Sequence, residues 1–412
     1  MMWETKTFEE LYLEPSRNGI YKPKEFHGRG CKIVNMGELF AYDFVGQQDM
    51  KRVELNEKEL VRDTLKDGDI LFGRRSLVES GAGKSSIVKN LNEPTTYESS
   101  VIRLRLNKKH SNPYFYYYWL LSPSGKGAIA SIVTGANVKG IKSSDLKNIV
   151  VPTPTLPTQN KIVGILSAYD DLIENNLKRI KLLEEMAQIT YEEWFVRLRF
   201  PGYESIPINP ETGLPEGWSK TRLGEMCTLT MGQSPKSEFY NFQGKGLPFH
   251  QGVKDYGERF PTNACWSTSG SRYAERGDIL FSVRAPVGRL NIALEKMILG
   301  RGLAAIRHKE NAQGFLYCLL KKQFFEEDMM GGGAIFNSVT KNDMHRIEVV
   351  APSPAILNDF NQIVEATDRQ IEILHFQNVR LREARDILLP RLMTGVIDAE
   401  SYDPAQLLKE AA

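Results

Sequence analysis

The sequence predicts an α+β chain: two mixed α/β domains separated by two long helices that pair as an antiparallel coiled coil, with an internal pseudo-twofold repeat. Three observations predict it. Segments recur in the same order along the chain, the signature of a duplicated unit. Each copy opens with short apolar runs broken by Gly, Asn and Asp, which read as strands and turns. Each copy closes with a long stretch whose apolar residues return every seven positions, which reads as a coiled-coil helix.

The recurrence is specific. Trp3-Glu4-Thr5-Lys6-Thr7-Phe8-Glu9-Glu10-Leu11 returns as Trp218-Ser219-Lys220-Thr221-Arg222-Leu223-Gly224-Glu225-Met226, and Gly28-Arg29-Gly30 as Gly244-Lys245-Gly246. Asp67-Gly68-Asp69-Ile70-Leu71-Phe72 returns as Arg276-Gly277-Asp278-Ile279-Leu280-Phe281. Gly135-Ala136 with Asp145-Leu146 matches Gly333-Ala334 with Asp343-Met344, and Ile162-Val163 matches Ile363-Val364. The separations stay between 198 and 216 residues, so loops change length while the order holds. The shared segments are Gly-Asp turns and apolar runs, which are scaffold; the segments between them differ.

Within the first part of each copy, Ile70–Phe72, Val101–Leu106, Ile149–Val151 and Ile279–Phe281 read as strands, and Tyr114–Leu121 and Phe315–Leu320 as helices. The first long helix follows Pro152, Pro154 and Pro157 and runs from Gln159 to about Arg197. Leu166, Ile173, Ile180, Ala187 and Trp194 recur at seven, with Ile162, Tyr169, Asn176 and Leu183 in the alternate seam position. The second follows Pro352 and Pro354 and runs from about Leu357 to Met393, with Leu374, Leu381 and Leu388 at seven and Ile363, Val364 and Ile371 beside them. Asn176 and Asn378 lie on or near the seams, where a buried Asn fixes register and an exposed one does not. Each helix, about 55 Å long at 1.5 Å per residue, has the other as its natural partner. Antiparallel pairing would carry the two globular parts to opposite ends of a rod. The domains are therefore 1–155, a helix at 156–200, a Pro- and Gly-dense linker at 201–217, a second domain at 218–353, a helix at 354–396 and a tail at 397–412.

The length of 412 residues fits two to four domains. No run of about 18 apolar residues is present, so no membrane span is expected, and the start lacks the apolar core of a signal peptide. Cys31, Cys227, Cys265 and Cys318 lie far apart with no CxxC pair, which speaks against zinc and fits a reducing cytoplasm. A net charge of +2 is nearly neutral, so any nucleic-acid contact rests on local features.

At this point the chain resembles the specificity subunits of type I restriction-modification systems. Leu214-Pro215-Glu216-Gly217-Trp218 resembles the family's entry into a target-recognition domain, and the two Gly-Asp-Ile-Leu segments its internal strand motif. Trp194-Phe195 with Phe200-Pro201-Gly202 resembles its central-helix exit, and Asp386-Ile387-Leu388-Leu389-Pro390-Arg391-Leu392-Met393-Thr394-Gly395 its C-terminal ending. The Pro-x-x-x-x-Gln start of the family's helices is kept at Pro154–Gln159 and lost at Pro354–Asp359. The resemblance implies two target-recognition domains, each reading one half of a bipartite asymmetric site on double-stranded DNA. It implies paired helices that set the spacing and hold two methyltransferase subunits, with endonuclease-translocase subunits in the larger complex. Adenine methylation and cutting then belong to those partners. So do S-adenosylmethionine, ATP and magnesium; no cofactor and no metal are expected in this chain.

Three motifs point elsewhere and are set aside on their residues. Gly81-Ala82-Gly83-Lys84-Ser85 lacks the first Gly of a phosphate-binding loop, where Val78 stands. Phe26-His27-Gly28-Arg29-Gly30 and Asn112-Pro113-Tyr114-Phe115 would together suggest a DNA adenine methyltransferase, which flips its base. Yet Phe242-Gln243-Gly244-Lys245-Gly246 repeats the first motif in the second copy with no Asn-Pro after it, and no alternating strand–helix run surrounds either. The six histidines show no ligand or triad spacing. A paired-helix scaffold that binds protein is the remaining alternative.

DNA contact needs cations for phosphates and flat donors for base edges. The recurrent strand motif ends in Arg74-Arg75 in one copy and Arg284, with Arg289 close by, in the other. Polar loops that differ between copies are the specificity candidates: Lys84, Ser85, Ser86, Asn137 and Lys139 in the first, and Gln233, Ser234, Lys236, His250, Gln251 and Asn337 in the second. Tyr116, Tyr117 and Tyr118 repeat at no stacking interval and read as core.

Overall fold

A computed structural model describes residues 3–76, 81–326 and 338–401. It divides into two compact units, Met1–Asn175 with Gln377–Ala412, and Asn176–Phe376.

The strands of the first unit are β1 (Thr5–Thr7), β2 (Tyr12–Asn18), β3 (His27–Val34), β4 (Phe44–Val45), β5 (Arg52–Val53), β6 (Ile70–Gly73), β7 (Arg75–Ser76), β8 (Ser85–Val88), β9 (Thr95–Tyr97), β10 (Val101–Leu106), β11 (Lys139–Gly140) and β12 (Val150–Pro152). The main sheet has the order β2-β10-β6-β8-β4; a second runs β5-β3-β9; β1 pairs with β12 and β7 with β11. Every residue of β6 is buried, as expected of a short uninterrupted apolar run at the centre of a sheet. Helix α1 (Pro113–Leu121) is apolar nearly all round, and Phe115 to Leu120 are buried. Asn112 caps it, accepting a bond from Tyr114 N, with Pro113 in the first turn.

The second unit repeats this plan. Its strands are β13 (Ser219–Arg222), β14 (Cys227–Met231), β15 (Tyr240–Asn241), β16 (Leu247–His250), β17 (Trp266–Ser267), β18 (Tyr273–Ala274), β19 (Ile279–Ser282), β20 (Leu290–Ile292), β21 (Met297–Leu299), β22 (Leu303–His308) and β23 (Glu348–Ala351). The sheet β14-β22-β19-β20 matches β2-β10-β6-β8, and β13-β23 matches β1-β12. The side sheet has grown to β15-β17-β16-β21-β18.

The recurrent Gly-Asp turn has a structural reason. Gly68 and Gly277 adopt left-handed φ values of 91° and 84°, which favours glycine. Asp69 Oδ2 accepts from Lys66 N and Asp278 Oδ2 from Glu275 N, both at 2.8 Å. Each buried carboxylate also accepts from an arginine one strand over: Arg105 Nε on Asp69 at 2.7 Å, Arg307 Nε on Asp278 at 2.6 Å. Burial nevertheless pushes the Asp278 carboxyl above its usual range.

Helix α2 (Leu156–Tyr191) carries Pro157 in its first turn, where proline fits. A single wider turn, Glu192–Val196, follows it. Gln159 is buried and its side chain ties Pro154 O to Asn112 N at 2.9 and 2.8 Å, which accounts for the kept Pro-x-x-x-x-Gln pattern. After α3 (Gln313–Lys321) comes the second long helix, α4 (Pro354–Met393). It starts at Pro354, again with proline in its first turn.

The pairing is antiparallel within each unit taken by itself. In the first, Ile162, Ile165 and Leu166 from the start of α2 share a core with Leu388, Leu389, Leu392 and Met393 from the end of α4. In the second, Tyr191, Trp194 and Phe195 share a core with Ile356, Leu357, Phe360 and Val364, and Ile180 packs with Ile371, Leu374 and Phe260. Ile173, Asn176 and Asn378 are buried, and Tyr169 and Leu183 half-buried against the cores. Leu381 is half-buried and joins none of these clusters. The linker is pinned: Phe200 stacks on Trp218 at 5.1 Å, and Leu214 is buried beside them.

Candidate nucleic-acid interface

In the first unit the short strands β7 and β11 form a two-stranded ribbon with Lys139 opposite Ser76 and Gly140 opposite Arg75. Thr134 and Gly140 exchange backbone bonds at 2.9 and 2.8 Å, closing the loop that carries Asn137 and Val138 into solvent. Gly135 makes that loop possible: its φ is 108°, and a Cβ there would lie 2.2 Å from Val138 O. The ribbon carries Arg75 on one face, opposite Gly140, and Lys139 on the other, opposite Ser76, with Asn137 in the loop before β11 and Arg74 at its base. Arg74, Arg75 and Lys139 form no ion pair with any described residue. Residues 122–144 contain Lys126, Lys139 and Lys142 but no Asp or Glu, so this run is basic even though the chain is nearly neutral. Lys126 and Lys142 are exposed, and the sequence reading missed both; the acid-free run was the available signal.

The second unit keeps the same corner. Arg284 bridges to Ser338 in the antiparallel sense, as Arg75 does to Gly140, and Val339 N donates to Val283 O as Ile141 N does to Arg74 O. Arg284 and Arg289 are exposed. Gln233, Ser234 and Gln251 are brought together elsewhere in this unit: Ser234 Oγ donates to Gln251 Oε1 at 2.7 Å, and Gln233 Oε1 accepts from Ser271 Oγ at 3.2 Å. Lys236 is exposed, 3.9 Å from Glu238. Asn337, like Gly333-Ala334 and Val78, lies outside the described residues.

Two groups of candidates are corrected by their burial. Ser85 and Ser86 sit inside β8, and the Ser86 hydroxyl donates to Leu39 O and Tyr42 O at 3.0 and 2.7 Å. His250 is wholly buried in β16, its Nε2 3.0 Å from Asn263 Oδ1. A polar residue satisfied inside a sheet looks, in sequence, the same as one in a loop. Lys84 is 2.7 Å from Asp43, so its charge is already matched. The motifs set aside earlier have structural work: Asn112 caps α1, Arg29 pairs with Glu54 at 2.7 Å, and Gly83 packs on Ile129. Tyr116, Tyr117 and Tyr118 are buried core residues.

Behind these surfaces each unit is tied to its helix segments by a buried ionic node. Arg259, fully buried, pairs with Glu184 of α2 and Asp368 of α4 and lies 4.2 Å over the Tyr317 ring. Burial opposes its charge, but the Asp368 and Glu184 carboxylates more than offset that and keep it protonated. In the first unit Asp170 of α2 accepts from Arg385 of α4 and from Tyr118 Oη of α1, at 2.5 and 2.6 Å.

One frame carrying two different sets of surface side chains defines a duplicated recognition protein. The comparisons say of what kind. The family described as "Type I restriction modification DNA specificity domain" matches twice, over residues 34–185 and 215–381, and the chain belongs to that family. It is 30% identical over 401 residues to the proposed type I restriction enzyme MjaX specificity subunit of Methanocaldococcus jannaschii, covering 96% of this chain and 93% of that protein. It is 25% identical to the MjaIX specificity subunit of the same organism, covering 97% and 94%. Its fold is similar to a solved S subunit of a type I restriction-modification system from M. genitalium, with a TM-score of 0.55 at 18% identity, covering 95% and 96%. The function is accordingly that of a type I specificity subunit. Among the described residues no helix is long and apolar enough to cross a membrane.

Proposed function

We propose that the chain acts without catalysis of its own, each unit reading one half of a bipartite, asymmetric site on duplex DNA. The observation that carries this reading is the repeated frame: the same sheet, the same Gly-Asp turn and the same arginine corner, with different polar loops mounted on each. In this reading Arg74, Arg75 and Lys139 in one unit and Arg284 and Arg289 in the other contact phosphates. Asn137 in one unit and Gln233, Ser234 and Gln251 in the other face bases, with Lys236 at the rim. Methyltransferase subunits, two per chain, dock on the paired helices and methylate adenine, and endonuclease-translocase subunits cut unmodified DNA. S-adenosylmethionine, ATP and magnesium act in those subunits. The docking is supported by Leu182, Met186 and Ile189, which lie exposed along one side of α2, an apolar stripe that a lone chain leaves in water.

The test is reconstitution. The chain alone should show no methyl transfer, nuclease or ATPase turnover above background, and with its methyltransferase partner should shift duplex DNA and methylate a two-part motif. Turnover by the pure chain would overturn the reading.

A further inference from the structure

In the second unit three loops are pressed together at distances only glycine permits. A Cβ on Gly232 would lie 2.1 Å from Gly300 O, one on Gly300 2.6 Å from Gln251 Cα, and one on Gly302 2.6 Å from Gln251 O. The loops 232–234, 250–252 and 300–302 thus form one rigid platform. On it stand Gln233, Ser234, Gln251 and Arg301, with Ser271 and Arg272 alongside; Leu299 N donates to Arg272 O and Gln233 N to Leu299 O, both at 2.9 Å.

The platform is wired for donors. The carbonyl of Gln251 accepts from Ser234 Oγ at 2.7 Å and that of Gln233 from Ser271 Oγ at 3.2 Å. Both amides are therefore oriented before anything binds, and neither Nε2 bonds to a described residue. Arg301 N donates to Ser234 Oγ at 3.1 Å, so the backbone of Arg301 is anchored to the same network. Its exposed guanidinium forms no ion pair with a described residue, nor does that of Arg272. Arg276 and Lys296, by contrast, are matched by Glu372 and Glu275. The stretches 226–237, 259–274 and 296–309, which include two of the three loops and Arg272, contain no Asp or Glu.

Four backbone bonds of the same frame recur in the first unit. Gly19 N donates to Val101 O as Gly232 N does to Leu303 O, and Ile20 N to Tyr97 O as Gln233 N does to Leu299 O. Glu98 N donates to Val34 O as Gly300 N does to His250 O, and Arg74 N to Ser100 O as Val283 N does to Gly302 O. A Cβ on Gly19 would lie 2.2 Å from Tyr97 O, the same close approach. By this correspondence Tyr21, Asn35 and Ser99 occupy the places of Ser234, Gln251 and Arg301, while Ile20, in the place of Gln233, is a buried core residue. The backbone is held constant where the side chains change, which is what a reading position requires.

Resting on the reading above, we propose that Arg301, Gln251 and Gln233 are the base-reading residues of the second unit, with Arg301 addressing a guanine and the glutamines adenines. Arginine forks onto guanine O6 and N7, and glutamine onto adenine N6 and N7, in the major groove. Arg272 is the accompanying phosphate contact.

The experiment maps methylated adenines genome-wide for the chain in complex with its methyltransferase partner, as wild type, Arg301→Ala, Gln251→Ala and the control Lys296→Ala. Arg301→Ala should weaken discrimination at one G·C position of a single half-site by on the order of 10- to 100-fold. Gln251→Ala should relax an A·T position of that same half-site, with the other half-site and the gap unchanged in both. Lys296→Ala should leave the motif intact. Full wild-type stringency in both variants overturns the proposal. So does a uniform loss of methylation with the motif intact, which would assign these side chains to phosphate. A wild-type complex that imprints no two-part motif defeats the underlying reading instead.

Discussion

Asp69 and Asp278 recur because each clamps its own turn and holds an arginine from the next strand. Removing one partner of a buried pair leaves the other charge unmatched, at a cost of about 3–5 kcal/mol. Asp69→Ala should lower the stability of the chain by about that amount in denaturant unfolding, with Arg105 stranded beside Glu14 alone. The recurrence of Gly-Asp was legible in the sequence. Its arginine partners were not, because Arg105 and Arg307 lie 36 and 29 residues downstream and only the strand register brings them over. His250 and Ser85 were misread for the converse reason: their burial depends on which strand covers them. His308 gives a pH signature at this scale. Burial holds its imidazole below the usual range, so the folded state binds fewer protons than the unfolded state. The stability from the neutral ring is present above about pH 6.5, the unfolded value, and is lost as pH falls toward the lower folded value. Melting temperature should therefore drop on acidification below about pH 6.5 more steeply in the wild type than in His308→Gln. Equal slopes would remove His308 from the account.

At the scale of elements, the long helices were the most legible feature, since the sevenfold spacing names most of the buried positions, although Leu381 is only half-buried and Ile363 is exposed. Ile162, Leu166, Ile173, Ile180, Leu374 and Leu388 are all buried. What the spacing could not show is the polar content of the helix contacts. Arg259 reaches from the second unit's loops to Glu184 and Asp368, and no periodicity announces an arginine supplied by another element. Arg259→Ala leaves two carboxylates facing each other and should destabilise the chain by about 3–5 kcal/mol. Arg259→Met, similar in length and uncharged, should cost no less unless Glu184 and Asp368 are neutralised with it. Calorimetry on the single and triple variants distinguishes these; a silent Arg259→Ala would show the node to be incidental. The ribbon of β7 and β11 escaped sequence reading because two-residue strands carry no periodicity.

For the molecule as a whole, both long helices contribute to both units, and the proposed spacing role makes a metric prediction. Four residues inserted within 184–188 add about 6 Å of helix at 1.5 Å per residue. DNA rises about 3.4 Å per base pair. The unspecified gap of the methylated motif should lengthen by about one to two base pairs while both half-sites keep their sequence. Four residues are nearly a full turn, so the seam rotates by only about 40° and re-forms; two residues turn it by about 200° and should abolish assembly. An active four-residue variant with an unchanged gap would mean that the helices do not set the spacing.

The modular claim at the centre of the account has one direct test. Residues 1–155 are exchanged for the matching region of a relative with a different motif, and methylated adenines are mapped in cells carrying each chain with its methyltransferase partner. The account predicts that one half of the motif changes to that of the relative, while the other half and the gap between them stay as they were. A change in both halves, or in neither, would contradict it.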